Sequence, residues 1–358
     1  MFIGLLASAG VLGANLAVFL SPVRWAIPAL AGLAFPVFGL LLLMATGMAL
    51  RWRRWRWCVG FLALTVMSAP LYRSVWGGFG WAMPEVQADA ATLKVMGWNV
   101  RLYNRYGWLK DGTREGIFNA VADEHPDVLC LQEHFRDPDP QSFPVESPMR
   151  RAVAGTDDEQ VGLHEVWAKG KAGRRFGVAT WSRLPIVGRE SISFGTSSNN
   201  VCAVTDIVFQ GDTIRVFNGH FASLHFGTED YAALEEGVPD AEGRQRIWSR
   251  MRDAYIARVE QVRPVMDAVA RSPHPVVVCG DFNDVPVSWA LNEMRSLLRD
   301  AHDVRGLRMD GTWQGAIPGV RIDHILLDPM WPVVSFGTGG EGLSDHRFVK
   351  AVVQVPTP

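Results

Sequence analysis

Pro275-Val276-Val277-Val278-Cys279-Gly280-Asp281-Phe282-Asn283-Asp284 is the stretch whose reading decides the fold. Four consecutive apolar residues after a proline predict a short buried strand. Gly280 allows a sharp exit, and a carboxylate, an amide and a carboxylate emerge at the strand's C-terminal end, where open α/β sheets commonly carry their chemistry. Asp281 and Asn283 are two residues apart, so an extended backbone points both to one side. A carboxylate acceptor beside an amide that donates and accepts suits orienting a water against a phosphate near a hard cation. Asp284 alternates to the other face and is expected to cap the turn. Taken alone, a polar turn after a core strand explains the stretch equally well.

Working outward, a helix is expected from Arg244 to Arg271, with Ile247, Met251, Tyr255, Val259, Val262, Met266 and Val269 as its apolar stripe. Pro264 falls inside it and should kink or split it. After the opening stretch come a helix around 287–299 and strands near 321–327 and 347–355. Toward the N-terminus, strands are expected at 92–100, 127–133, 176–181, 201–209 and 213–221, and a helix from Thr113 to His125 that Pro126 stops. Gln210-Gly211-Asp212 makes the last two strands a hairpin. Residues 136–160 are expected as loop, and 227–243 form an acidic, turn-rich segment without periodicity. Strands punctuated by helices indicate an α/β layered domain with mixed sheets.

Polar residues recur at the ends of these strands: Asn99, Glu133, His220, Asp281, Asn283, Asp323, Asp345 and His346. A lone histidine such as His220 is more often a satisfied core or surface residue. Eight carboxylates, amides and imidazoles at the same kind of position are hard to explain as eight separate turns. Oxygen donors without cysteine suit Mg²⁺ or Mn²⁺ rather than a closed zinc site. The chain has no Gly-x-x-x-x-Gly-Lys loop and no Gly-x-Ser-x-Gly elbow, which argues against nucleotide-driven phosphoryl transfer and a serine esterase. Cys58, Cys130, Cys202 and Cys279 sit in apolar runs with no metal-ligand spacing and read as small buried hydrophobes.

Charge divides the 358 residues in two. Residues 1–84 carry no Asp or Glu and only Arg24, Arg51, Arg53, Arg54, Arg56 and Arg73, which leaves 29 basic against 37 acidic residues beyond, a net of −8. Met1–Val23 and Trp25–Leu50 are uncharged runs long enough to cross a bilayer, which takes about 20 residues. Trp57–Tyr72 is a third run of only 16 residues, and Trp52, Trp55 and Trp57 interleave with arginines like an interfacial belt. A cleaved signal peptide is disfavoured, because no basic n-region and no good cleavage site are present. The expected organisation is a membrane anchor at 1–76 (spans about 2–20, 25–50 and 57–72), a linker at 77–91 and a catalytic domain at 92–358. Four arginines in the 51–56 loop predict that this loop is cytoplasmic. Three spans then put the domain on the opposite side, periplasmic in a bacterial inner membrane; two spans would leave it in the cytoplasm.

Trp98-Asn99, Gln132-Glu133, Gly177-Val178-Ala179-Thr180-Trp181-Ser182-Arg183-Leu184-Pro185-Ile186, Asn218-Gly219-His220, Gly280-Asp281-Phe282-Asn283, Arg321-Ile322-Asp323-His324 and Ser344-Asp345-His346 together resemble the endonuclease/exonuclease/phosphatase superfamily. The blocks occur in that family's order over about residues 92–356. The apolar N-terminus, Arg258-Val259-Glu260-Gln261 and Ser272-Pro273-His274-Pro275 resemble a bacterial subgroup with an N-terminal membrane anchor. The resemblance implies a four-layer α/β sandwich, DNase I-like, here preceded by two or three transmembrane helices, with the site at one rim. It implies that Glu133 is the principal metal carboxylate, supported by Asn99 and Asp345, around Mg²⁺ or Mn²⁺. Asp281 would orient or deprotonate the water, Asn283 hold a phosphate oxygen and His220 complete the phosphate cradle. His346 would bind the scissile phosphate or act as base, with Asp323 fixing its tautomer; charge stabilisation by this pair is the favoured assignment. One departure stands out. Some repair nucleases carry a carboxylate two residues after the strand-end asparagine, where this chain has Arg101, which argues against a second metal ligand there.

The shared core cleaves phosphate esters without choosing among them. Nucleic acid calls for a basic, aromatic-laced groove, whereas the domain is net acidic despite the local cluster Lys169, Lys171, Arg174 and Arg175. Tethering favours a phospholipid or sphingolipid head group or another surface-borne phosphodiester. An anchored nuclease is the alternative, and a binding module without activity is a third reading that the presence of all eight residues disfavours.

Overall fold

The computed structural model describes residues 1–78, 86–87, 90–155, 160–168, 175–195, 200–224, 240–315 and 317–356. Most of the expected linker, most of the acidic 227–243 segment and Lys169, Lys171 and Arg174 lie outside them. Twelve strands among the described residues form two six-stranded sheets. The first contains β1 (Thr92–Asn99), β2 (Val128–Arg136), β3 (Gly162–Trp167), β4 (Arg175–Ser182), β11 (Val333–Gly339) and β12 (Phe348–Gln354), in the order β11-β12-β1-β2-β4-β3. The second contains β5 (Ile186–Ser193), β6 (Val201–Phe209), β7 (Asp212–His220), β8 (Val276–Asp281), β9 (Arg299–Asp300) and β10 (Asp323–Leu327), in the order β5-β6-β7-β8-β10-β9.

Aliphatic side chains and cysteines of β1, β2, β7, β8, β10 and β12 fill the space between the sheets. Helices cover the outer faces: α6 (Thr113–Glu124) and α7 (Glu146–Ala154) on the first sheet, α8 (Ala241–Ala270) and α9 (Trp289–Arg295) on the second. The result is the expected α/β sandwich of four layers. Each sheet has one central parallel pair, β1 with β2 and β7 with β8. The C-terminal ends of these pairs carry Asn99, Glu133, His220 and Asp281. Close approach of β7 and β8 there depends on Gly280: a Cβ on it would lie 2.0 Å from the Gly219 carbonyl oxygen.

The hairpin forms as expected, with Gln210 and Gly211 both at positive φ (53° and 93°), the twist that a two-residue turn needs. Three expectations are corrected. Glu146–Ala154 within the expected 136–160 loop is helical, its Met149, Ala152 and Val153 buried. Pro264 does not split α8, whose Val259, Val262, Val265 and Val269 are held against the second sheet throughout. The 287–299 helix is shorter, Trp289–Arg295, and Arg299 instead joins Asp300 in a short strand paired with Leu327 and Leu326.

The apolar N-terminus forms α1 (Phe2–Phe19), α2 (Ile27–Leu33), α3 (Phe35–Arg51), α4 (Trp55–Met67) and α5 (Ala69–Trp76). Helix α1 is long and apolar enough to cross a membrane; α2 with α3 and α4 with α5 pass the same test as bent pairs, at 68° and 59°. Pro36 and Pro70 stand in the first turn after each bend, where the missing N–H breaks the helical ladder. These helices pack on the sandwich. Val287, just before α9, lies in the apolar cluster of α1, α3, α4 and α5. Its carbonyl oxygen sits 2.1 Å from where a Cβ on Gly32 would be, and Arg321 donates to the Ser74 carbonyl at 2.8 Å.

Candidate active site

Asp281 ends β8 at the centre of the rim, fully buried. Its Oδ2 accepts a hydrogen bond from Asn99 Nδ2 at 3.0 Å and lies 3.7 Å from His220 Nε2 and 3.9 Å from His346 Nε2. Its Oδ1 accepts from the Asn283 backbone N–H at 2.8 Å. Asn283 is therefore not on an extended strand: it has φ 52°, the strand has ended at Asp281, and a local turn rather than strand alternation brings the two together. Asn283 Nδ2 donates to the Phe221 carbonyl at 3.0 Å. Asp284 points away from the rim and pairs with the buried Arg258 at 3.1 Å.

Glu133 reaches the rim through a backbone irregularity. The β2–β4 register shifts between Gln132 and His134, leaving Glu133 as the extra residue at φ 49°, and such a bulge re-aims a side chain out of the ladder. Gln132 stays between the sheets, donating to Asn218 Oδ1 at 2.8 Å. Asn99 Nδ2 bridges Glu133 Oε1 (3.1 Å) and Asp281, while its Oδ1 accepts from the Arg101 N–H. In this arrangement Asn99 presents its nitrogen, not its oxygen, to the two carboxylates.

On the far side, His346 Nδ1 is 2.9 Å from Asp323 Oδ2. Burial acts to lower the His346 pKa, but Asp323 and Asp281 outweigh it and hold the imidazole well above its ordinary 6.5. Burial pushes Asp281 up from 3.8; His346 and His220 pull it back, and Asp323 adds to the rise. Asp281, Asp323 and His346 each offer a ligand atom within 4.8 Å of the others. Asp345 is half-buried, with Oδ2 3.4 Å from Arg101 Nε. Arg101 is held there by four consecutive left-handed residues, Arg101–Asn104, and its guanidinium lies over Trp108 at 5.0 Å. The rim thus gathers all eight residues picked out at strand ends. Glu133, Asp281, Asp323 and Asp345 are hard oxygen donors with no thiolate among them, a donor set that fits Mg²⁺ or Mn²⁺.

The Endonuclease/Exonuclease/phosphatase family profile matches residues 96–346, spanning all of these elements. The chain belongs to that family. No curated protein sequence matches it. Among solved structures, it is similar to an endonuclease/exonuclease/phosphatase family protein from Leptotrichia buccalis (14% identity, TM-score 0.53, 74% of this chain and 100% of that one). A family member from Bacteroides thetaiotaomicron is similar at 18% identity and TM-score 0.53, covering 75% and 100%. TDP2 from D. rerio, solved with a single-strand DNA product, is similar at 19% identity and TM-score 0.52, covering 74% and 100%. At these identities the likeness concerns the fold. Membership in the endonuclease/exonuclease/phosphatase family makes the chain a phosphoester hydrolase.

Several supports of this site are uncharged and carry little signal in the sequence. Ser344 Oγ donates to the Asn99 carbonyl at 2.7 Å, Thr312 Oγ1 accepts from the Ile322 and Asp323 N–H groups, and Trp98 Nε1 donates to the His346 carbonyl. Only the Ser-Asp-His and Trp-Asn adjacencies hinted at two of them.

Proposed function

We propose that this protein is a membrane-anchored, divalent-metal-dependent phosphodiesterase acting on lipid-linked phosphate esters. The observation that carries the lipid assignment is the seating of the site on the apolar helices. The turn after β8, which bears Asp281 and Asn283, runs into Val287 against α1 and α2; the segment leading to Asp323 bonds α5 through Arg321. A head group held at a bilayer surface is the phosphate ester nearest to such a rim, and the net charge of −8 beyond residue 84 disfavours a polyanionic strand. An anchored nuclease shares the same chemistry and is the alternative.

Asp281, ionised, accepts a proton from the attacking water, whose oxygen bonds to phosphorus as the ester P–O bond breaks. The leaving oxygen departs with the bonding pair and takes its proton from solvent. His346, kept protonated by Asp323, stabilises the charge that accumulates on the phosphoryl oxygens. His220 faces Asp281 from β7 as the other wall of the phosphate cradle, and Asn283 holds a phosphate oxygen. Asn99 fixes Glu133 and Asp281 relative to each other. Glu133 and Asp345 would hold Mg²⁺ or Mn²⁺, which when bound supplies Lewis-acid polarisation of the phosphate.

The test places full-length protein with labelled phospholipids, sphingolipids and plasmid DNA side by side, with and without EDTA. Lipid hydrolysis that EDTA abolishes and Mg²⁺ restores is expected. Asp281→Ala should lower it about 10²–10⁴-fold, the range for a lost general base. Degradation of DNA alone would overturn the lipid assignment, and equal rates in Asp281→Ala and parent would overturn the mechanism.

A further inference from the structure

Between the apolar helices and the sandwich lies a cavity of about 110 Å³ that the hydrolytic chemistry does not use. One wall is Gly32, Pro36 and Val37, at the break between α2 and α3; the other is Val285, Pro286 and Ile317. Val37 and Ile317 are 60% and 53% exposed, so the cavity opens outward along an apolar mouth. Its two walls differ in kind. The first belongs to helices that expose an apolar outer surface, with Val37, Leu40, Leu43 and Met44 all exposed. The second belongs to the same two segments that carry the chemistry: Val285 is two residues beyond Asn283, and the segment from Ile317 runs through Arg321 to Asp323.

We propose that this cavity receives the part of an alkyl chain nearest the phosphate, so that the substrate enters sideways from the bilayer. This rests on the lipid-linked reading above and names the part of the substrate that the protein grips besides the phosphate. Apart from Arg321, which is buried and bonded to Asp300 and to the Ser74 carbonyl, the lining is apolar, and a bilayer in contact with the first wall supplies one occupant, an acyl or alkyl chain. The volume matches a short stretch of chain, on the order of four groups each the size of a water molecule at about 30 Å³. Each methylene that such a cavity removes from water is worth roughly four-fold in binding.

The test uses full-length protein in nanodiscs and two diesters with the same nitrophenolate leaving group, methyl 4-nitrophenyl phosphate and hexadecyl 4-nitrophenyl phosphate. The parent is expected to prefer the hexadecyl ester in kcat/KM. Val37→Trp fills the cavity from the helix side and should lower the hexadecyl-to-methyl ratio at least ten-fold. Ile317→Trp does the same from the opposite wall and covers the case in which Val37→Trp fails to fold, which loss of methyl-ester turnover would reveal. Leu43→Trp, on the exposed face of α3, should leave the ratio at the parent value. A parent that prefers the hexadecyl ester, with both filling variants unchanged or Leu43→Trp equally impaired, overturns the cavity assignment alone. A parent with no preference for the hexadecyl ester overturns the lipid reading and the cavity with it.

Discussion

At the residue scale, the pairing of His346 with Asp323 decides what the imidazole does. A histidine held well above 6.5 is protonated at neutral pH and therefore suits charge stabilisation rather than proton abstraction. Under the proposed mechanism activity needs Asp281 ionised and His346 protonated, which predicts a bell-shaped profile. Its acid limb lies above the ordinary 3.8 of an aspartate, and its alkaline limb lies well above 6.5. Asp323→Asn should move both limbs. Removing that charge takes away the strongest force raising His346, so the alkaline limb moves to lower pH. The same change relieves repulsion on Asp281, so the acid limb also moves down. The pH dependence of kcat/KM on an aryl phosphodiester should therefore shift toward acid as a whole, its limbs belonging to the coupled cluster. An alkaline limb that stays in place would reassign His346. The charged members of this cluster were legible in the sequence because carboxylate, amide and imidazole at strand ends are conspicuous. Thr312 was not, and Ser344 showed only as the neighbour of Asp345 and His346, since a hydroxyl in a loop has no legible role until the fold brings it to a backbone N–H or carbonyl. The role of Glu133's bulge was equally hidden: strand alternation alone gives no sign that one residue is extra.

At the scale of elements, the strands that the sequence failed to announce share one property. Strands β3, β5, β9 and β11 are the four edges of the two sheets. Edge strands bury one side at most: β5 is largely open to solvent and β11 is mostly half-buried; without an apolar run or clean alternation they resemble loop. The central strands, buried on both faces, stand out in the sequence for the opposite reason. Helix α8 adds a clamp that the sequence marked only as an apolar stripe. Arg258 bonds Asp284 at 3.1 Å and the Ala222 carbonyl at 2.8 Å, and Gln261 Oε1 accepts from the Ala222 N–H at 2.7 Å. One helix thus grips the segments that follow both β7 and β8, holding His220 and Asp281 side by side. The Arg258–Asp284 pair is buried, so deleting one partner strands a charge. Asp284→Ala should destabilise the domain by about 3–5 kcal/mol, read from denaturant unfolding of the full chain in detergent. Asp284→Asn, which keeps an acceptor for Arg258, should lose less. Equal losses would mean that packing, not the charge pair, fixes the turn.

At the scale of the whole molecule, the apolar helices and the sandwich form one arrangement with two distinct ends. The apolar helices alternate in direction: a Cβ on Gly4 would meet Ala45 and one on Gly10 would meet Phe38, so α3 runs antiparallel to α1, whereas Gly4 against Phe61 and Asn15 bonded to Ser68 at 2.8 Å make α4 parallel to α1. The N-terminal end of α1 therefore lies toward the C-terminal end of α3 and the Arg51–Arg56 loop. The sandwich touches the other end, at Gly32, Arg73 and Ser74. If each bent pair makes one crossing, the arginine loop and the proposed catalytic rim stand on opposite faces of the bilayer, and the excess of arginine predicts a cytoplasmic loop. The four native cysteines are all buried, so an introduced thiol reports against little background. Arg53→Cys marks the loop, and Leu307→Cys, at a position 69% exposed on the sandwich, marks the catalytic side. In intact cells a membrane-impermeant maleimide should label position 307, and position 53 should react only after permeabilisation. Labelling of both positions under one condition would mean that an even number of crossings separates them, and with it that the pair of α4 and α5 does not span. The reverse order would invert the protein and return the catalytic rim to the cytoplasmic face, where its substrate would be a lipid of the inner leaflet.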